Sequence, residues 1–193
     1  MFTDLMEYGD TEENAYVLDR IKISQNEILV VPFTMKGVAV DLHYCEDEGV
    51  KGYVVCNGSQ CLLCRVGNKK DGRLLLPVFL PVTECIGVLP ISTSMQPHSL
   101  MPQLKAMISK TSDDKPAVVS IVTATKGKYI VNANEYADDS ITGDRQIKNF
   151  MKEYEAGKVD LTSVFTKLSN EDISRLNVVS KIMKIKGIKL GAY

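Results

Sequence analysis

The feature that most constrains this chain is a cluster of three cysteines in the stretch CNGSQCLLC, residues 56–64. The chain has five cysteines, so most of its thiols lie within nine residues. Cys61 and Cys64 form a Cys-x2-Cys knuckle, a common half of a structural zinc site, and Cys56 precedes them. Gly58 allows a tight turn between Cys56 and Cys61. We therefore predict a zinc ion bound by these three thiolates and a fourth ligand.

The fourth ligand is expected on the strand that precedes the cluster. His43 is the preferred candidate, and it alternates with Leu42 and Tyr44 in the segment VAVDLHY. Cys45 is the competing candidate, because it lies two residues further along on the same face of the strand.

The cysteines allow three other interpretations. The thiols could be small buried hydrophobic groups. A redox Cys-x-x-Cys normally opens a helix after a strand, whereas the polar run GNKKDG at 67–72 follows here. A catalytic zinc needs an open coordination position and a nearby base, and the acids at 46–48 have the character of a loop. The sequence contains no Gly-rich phosphate loop, nucleophile elbow or His-Glu-x-x-His pattern. It therefore predicts a structural zinc site and no enzyme.

The distribution of charge and hydropathy indicates the cellular compartment and the character of the termini. The sequence has no signal peptide and no apolar run near the length of a membrane span. A cytoplasmic protein with reduced thiols and no membrane partner is expected.

The first twenty residues carry six acids and one base, whereas the segment from Arg175 onward carries five bases and no acid. Such asymmetry suggests terminal segments with separate tasks, or an electrostatic contact between a terminal segment and the body of the protein.

The pattern of apolar residues predicts a mainly β fold with α additions. Five or six short strands are expected over residues 27–134, interrupted by one helix at 99–110, and helices follow at the C-terminus. Pro77 and Pro81 in the strand 73–82 suggest a sheet edge or a bulge. We predict an acidic N-terminal arm at 1–26, an OB-fold-like small barrel with the zinc clip at 27–135, and a helical extension at 136–193. An SH3-like barrel and an open α+β sheet remain possible.

The cysteine motif and its flanks resemble a known family. A histidine at a strand end, then C-x-G-x-x-C-x-x-C-x-x-G, a basic loop and an Arg-led strand are similar to the zinc-bearing OB-fold single-stranded DNA-binding proteins of tailed phages. The twelve-residue step from His43 to Cys56 also agrees with that family. The resemblance covers about residues 27–135. The spacing of four between Cys56 and Cys61 is shorter than in the T-even phages, and Leu62 stands where relatives often have proline.

The resemblance implies sequence-independent binding of single-stranded DNA during replication, recombination or repair, in an infected bacterial cell. It also implies contacts of the terminal segments with replication or recombination proteins. Such binding needs cations along the phosphates and aromatic rings for the bases. The residues expected to supply them are Tyr44, Lys51, Tyr53, Arg65, Lys69, Lys70, Arg73, Lys126, Lys128 and Tyr129.

Each of these residues also has a purely structural interpretation. The aromatic rings could pack in the core, and the basic side chains could simply be exposed on a solvated hairpin. The family's acidic C-terminal tail and basic N-terminal arm have no counterpart, since the charges of the termini are reversed here. A zinc-stabilised interaction module of a larger complex, without nucleic acid, is the rival prediction. The net charge of −1 favours this rival.

Overall fold

A computed structural model describes residues 16–23, 27–34, 36–108, 116–125 and 127–190. The strands are β1 Asp19–Arg20, β2 Ile28–Pro32, β3 Val38–Asp47, β4 Val50–Val55, β5 Lys70–Leu80, β6 Cys85–Ser92, β7 Ala117–Thr125 and β8 Lys128–Tyr136. The α-helices are α1 Leu62–Val66, α2 Leu100–Ile108, α3 Asp139–Gly143, α4 Arg145–Glu155, α5 Asn170–Arg175 and α6 Asn177–Lys186. The predicted mainly β fold with helical additions is confirmed.

The sheet is mixed and curls into a half-barrel around the long strand β5. One edge of β5 pairs with β6 from Arg73 to Leu80. The other edge pairs with β3 near the start of β5 and with β2 near its end. Beyond β2 follow β7 and β8, and β1 joins β6 in parallel. Because β5 exchanges one partner for another along its length, the sheet bends around it.

The position of Pro77 differs from the prediction of a sheet edge. Strand β5 is interior to the sheet, and Pro77 pairs with Val88 of β6. On its other side, the β3 pairing ends at Leu75 and the β2 pairing begins at Val78. Pro77 therefore lies at a gap between two partners, where a residue without an N–H is tolerated.

The helices cover the half-barrel through separate apolar clusters. Helix α2 packs with Leu100 and Leu104 against β6 and β8. Helix α4 places Phe150 in a cluster with Leu42 and Phe165. Helices α5 and α6 cover the cysteine segment. In the described part of the chain, no helix is long and apolar enough to cross a membrane.

Candidate metal centre and cationic cleft

The four residues predicted to bind metal converge on one point. The Nε2 atom of His43 lies 3.6 Å from Sγ of Cys61 and 3.4 Å from Sγ of Cys64. The Sγ atoms of Cys56 and Cys64 are 3.6 Å apart. All four potential ligand atoms lie within 4.8 Å of one another. This cluster could hold a metal ion.

The distances between the ligand atoms fit tetrahedral zinc. With Zn–S near 2.3 Å and Zn–N near 2.0 Å, tetrahedral angles separate two sulfurs by about 3.8 Å and a sulfur from a nitrogen by about 3.5 Å. Three of the six separations between ligand atoms are 3.4–3.6 Å and agree with these values, and the others are at most 4.8 Å. Since sulfur and imidazole are the ligands of structural zinc, the residues present fit that ion.

His43 is oriented for metal binding by the sheet. It is fully buried on β3, where it pairs with Val54 of β4 and Lys70 of β5. Its Nδ1 lies 3.2 Å from the backbone carbonyl of Lys69. A ligating histidine usually donates its second ring N–H to such an acceptor, which leaves Nε2 free to bind the metal.

The thiols are in an environment that needs a cation. Burial acts to raise the pKa of Cys61, but hydrogen bonds from the backbone N–H groups of Cys64 and Asn57 and from the Cys56 thiol lower it. Burial, the Cys56 thiol and the charge of Cys61 raise the pKa of Cys64 to about 12. One thiolate therefore opposes the next, and a divalent cation at the centre removes this opposition.

Cys45, the competing candidate, lies outside the group of converging ligand atoms. It is buried against the knuckle, which we define as residues 56–67. Burial, then the charge of Asp47, raise the pKa of its thiol. Cys45 pairs with Gly52 further along the β3–β4 hairpin, so its position in the strand takes it past the cluster.

The knuckle contains a short helix that the polar run GNKKDG did not predict. Cys61 is the N-cap of α1, and the helix ends at Gly67, which has a left-handed φ of 94°. Leu62, Leu63 and Val66 face the apolar cluster formed with α5 and α6. Because Cys61 and Cys64 do lie at the start of a helix, the predicted lack of a helix was wrong and does not argue against a redox pair. The convergence of Cys56 and His43 on Cys61 and Cys64 is the stronger argument for a metal site.

Asn170 at the start of α5 forms hydrogen bonds that hold the knuckle in place, a role that its local sequence did not reveal. Its Oδ1 accepts hydrogen bonds from the backbone N–H of Leu62 at 3.0 Å and from Nδ2 of Asn57 at 3.1 Å. Its Nδ2 donates to the carbonyl of Gln60 at 2.9 Å. The local sequence Ser-Asn-Glu-Asp signals only a helix start, because the partners of Asn170 are more than 100 residues away.

A second feature is a cleft of about 290 Å³ on the opposite face of β3 from His43. Its lining contains three cations and three aromatic rings and, within the described residues, no carboxylate. We call this the cationic cleft, and its polar and aromatic residues are Arg20, Lys22, Tyr53, Arg73, Tyr129 and Phe165.

Cation–π contacts connect the residues of the cationic cleft. The guanidinium of Arg20 lies 5.7 Å from the ring centroid of Tyr53 and 5.2 Å from that of Phe165. The guanidinium of Arg73 lies 5.8 Å from the Tyr53 ring. Burial alone would lower the pKa of Arg73, but its hydrogen bond to Asp71 and the charge of that carboxylate raise it. Arg73 therefore stays charged in the cleft.

Three of the residues predicted to bind nucleic acid line the cationic cleft, namely Tyr53, Arg73 and Tyr129. The ring of Tyr44 contacts that of Tyr53 edge-on at 5.5 Å, and Tyr44 is 47% exposed. Tyr44 therefore extends the aromatic surface beyond the cleft.

The other predicted cations lie elsewhere. Lys51 is paired with Glu46 at 3.2 Å, and Lys70 with Asp41 at 2.9 Å. The Arg65 guanidinium donates to the Lys189 carbonyl at 3.4 Å. Lys69 and Lys128 are exposed and do not line the cleft, and Lys126 lies outside the described residues.

Arg20, Lys22 and Phe165 were missed by the sequence analysis. Arg20 and Lys22 alternate with Ile21, whose N–H donates to the Val88 carbonyl at 2.9 Å. This alternation of Arg-Ile-Lys in the sequence is the signal that could have revealed β1.

No protein-family model, curated protein or solved structure matches this chain. The candidate site therefore rests on the geometry of its own residues.

Proposed function

We propose that the protein binds single-stranded DNA with little sequence preference, along the cationic cleft. The observation that carries this proposal is the cleft itself, where Arg20, Lys22 and Arg73 stand among aromatic rings. Cations attract phosphates, and rings accept unpaired bases by stacking. The curled half-barrel is consistent with a variant of the OB-fold, whose sheet face binds oligonucleotides.

We also propose that zinc is the ion held by His43, Cys56, Cys61 and Cys64. A bound zinc would hold the knuckle against β3 and so keep the β3–β4 hairpin, which carries Tyr53, in place. Its role is structural, because all four tetrahedral positions are taken by protein ligands. Three reduced thiols fit a reducing compartment such as the cytoplasm.

Fluorescence anisotropy with a labelled oligo-dT at several salt concentrations tests the binding proposal. A cleft that engages three to five phosphates gives a log–log salt slope of roughly −2 to −4. Arg20→Ala should flatten the slope by about 0.7 and weaken all sequences equally. Arg145→Ala, at an exposed arginine on α4, is the matched control.

A duplex of equal length separates this proposal from general attraction to phosphate. Its bases are already stacked, so it should bind much more weakly. Tight binding to duplex but not to single strands contradicts the proposal.

The second candidate is a zinc-stabilised interaction module, and the net charge of −1 favours it. In that case the terminal segments contact proteins of a larger complex. Absence of binding to either form of DNA, by protein that contains zinc and is folded, would support this candidate.

A further inference from the structure

Helix α6 presents an apolar and basic face to solvent. Ile185 is 84% exposed and Val178 is 53% exposed, seven positions apart on the same side of the helix. Lys181 and Lys184 lie beside them, and α6 contains no acid. Within the described part of the chain, neither lysine forms an ion pair. We call this surface the α6 face.

The α6 face is held rigidly by the opposite side of the helix. Val179 is buried in the cluster that α6 shares with α1 and α5. The Nζ of Lys186 donates to the Val66 carbonyl at 3.0 Å, and the N–H of Val178 donates to the Asp47 carboxylate at 2.9 Å. The exposed residues therefore cannot turn inward without breaking these contacts.

A groove elsewhere on the molecule has the complementary chemistry. It is about 620 Å³ in volume and lies between the β5–β6 turn and helices α3 and α4. Its apolar floor includes Phe79, Ile86, Ile141 and Ile147, its rim carries Glu84, Asp138 and Asp144, and none of its described lining residues is basic.

Two of the three carboxylates of the groove rim are held in place by hydrogen bonds. Asp138 accepts hydrogen bonds from the N–H groups at the start of α3, and Asp144 does so at the start of α4. The hydrogen bond from Ser140 is the main reason why the pKa of Asp138 is lowered. Glu84 has a left-handed φ of 51°, which a residue with a Cβ seldom adopts. The hydrogen bonds of Asp138 favour its charged form at the rim.

We propose that the α6 face of one copy of this chain docks into the α3–α4 groove of a second copy. Ile185 and Val178 would cover the apolar floor, and Lys181 and Lys184 would meet the acidic rim. The contact must join two copies, because α6 is packed on α1 and α5 and cannot leave them to reach its own groove. Since the two surfaces differ, the contact is heterologous and joins copies head to tail, into a ring or an open chain.

Sedimentation velocity of the intact, zinc-loaded protein without nucleic acid tests this inference, which does not depend on the proposed DNA binding. In low salt, the mass should rise across a concentration series reaching about 100 μM, where weak interfaces associate. Ile185→Glu on the α6 face and Glu84→Lys on the groove rim should each weaken association at least about tenfold, through the apposition of like charges. Met95→Glu, at a residue 64% exposed, and Glu135→Lys, at an exposed residue of β8, are the matched controls.

Mixing the two variants gives the sharpest result. The Glu84→Lys protein keeps an intact α6 face, and the Ile185→Glu protein keeps an intact groove. Their mixture should form a one-to-one dimer that grows no further, which a symmetric interface cannot do. A monomer throughout the concentration series, association unaffected by both changes, or a mixture without the dimer would each overturn the proposal.

Discussion

The candidate metal centre and the cationic cleft lie on opposite faces of the same strand pair, and they are built in different ways. Three of the four residues of the metal centre come from nine consecutive positions. The residues of the cationic cleft come from β1 and the residues just after it, from β4, β5 and β8, and from the segment before α5, so they span most of the chain. A short loop orders its ligands at little entropic cost, whereas the cleft depends on the packing of the whole half-barrel.

The largest effect is expected from loss of the metal centre. Cys61→Ser should remove the metal and lower the free energy of unfolding by about 4 kcal/mol or more, because the knuckle and its contacts with α5 and α6 depend on it. Thermal unfolding combined with zinc quantification measures this effect.

Cys85→Ser is the matched control for that experiment. Cys85 is half-buried and lies 3.1 Å from the Thr83 hydroxyl, away from the knuckle. Its replacement should cost less than about 1 kcal/mol. Protein that is fully folded and metal-free as isolated would contradict the proposed zinc centre.

Removal of the Asn170 side chain should have the next largest effect. Asn170→Ala leaves the Leu62 N–H without this acceptor, and we expect a loss of about 1–3 kcal/mol in the free energy of unfolding. The loss should appear as faster release of zinc to a chelator. Asn132→Ala, at an exposed residue of β8, should leave the release rate unchanged. Equal rates for both variants would mean that Asn170 does not hold the knuckle.

In the cationic cleft, Tyr53→Ala should weaken single-strand binding by about 1–3 kcal/mol without changing the salt slope, because stacking is not ionic. Tyr53→Phe should retain most of the affinity. Tyr136→Ala, at a tyrosine of β8 that is 61% exposed, should bind as the unaltered protein does. Anisotropy with oligo-dT measures all three variants. A similar loss for Tyr136→Ala would show that the effect is not specific to the cleft.

The smallest effect concerns the acidic N-terminal arm, of which residues 1–15 and 24–26 lie outside the described part of the chain. Residues 1–15 carry five acids and no base, and the chain continues from them to Arg20 in the cleft. Deleting residues 1–15 should tighten oligo-dT binding by less than about 1 kcal/mol in low salt, and the gain should vanish as salt screens it. Unchanged affinity in low salt would assign the arm no role in DNA binding.

The secondary-structure content of the fold was predictable from the sequence, but the pairing of its strands was not. Alternating and continuous apolar runs revealed the β-rich body and the helix near residue 100, which is α2 Leu100–Ile108. The exchange of partners along β5 was not predictable, because Pro77 has the sequence signature of an edge strand. Its position between the β3 and β2 pairings depends on how the strands pair in the sheet and not on the local sequence.

The cation and aromatic predictions show a similar limit. Proximity in sequence favoured Lys51, Lys69 and Lys70, but none of these residues lines the cationic cleft. Arg73 does line it, although it is paired with the Asp71 carboxylate. Arg20 is distant in sequence from Tyr53 and yet contacts its ring. Local charge counts do not reveal which cations share a cleft.

The sequence by itself determined three ligands of the candidate metal centre, because three thiols on a short turn can converge with little constraint from the rest of the chain. It also determined the β-rich character, since the period of the apolar residues reflects which faces are buried. The tertiary structure alone decided between His43 and Cys45, placed Asn170 on the knuckle, and brought Arg20, Tyr53, Tyr129 and Phe165 to one cleft. These are contacts between distant segments, and they form only when packing of the core has fixed the pairing register of every strand.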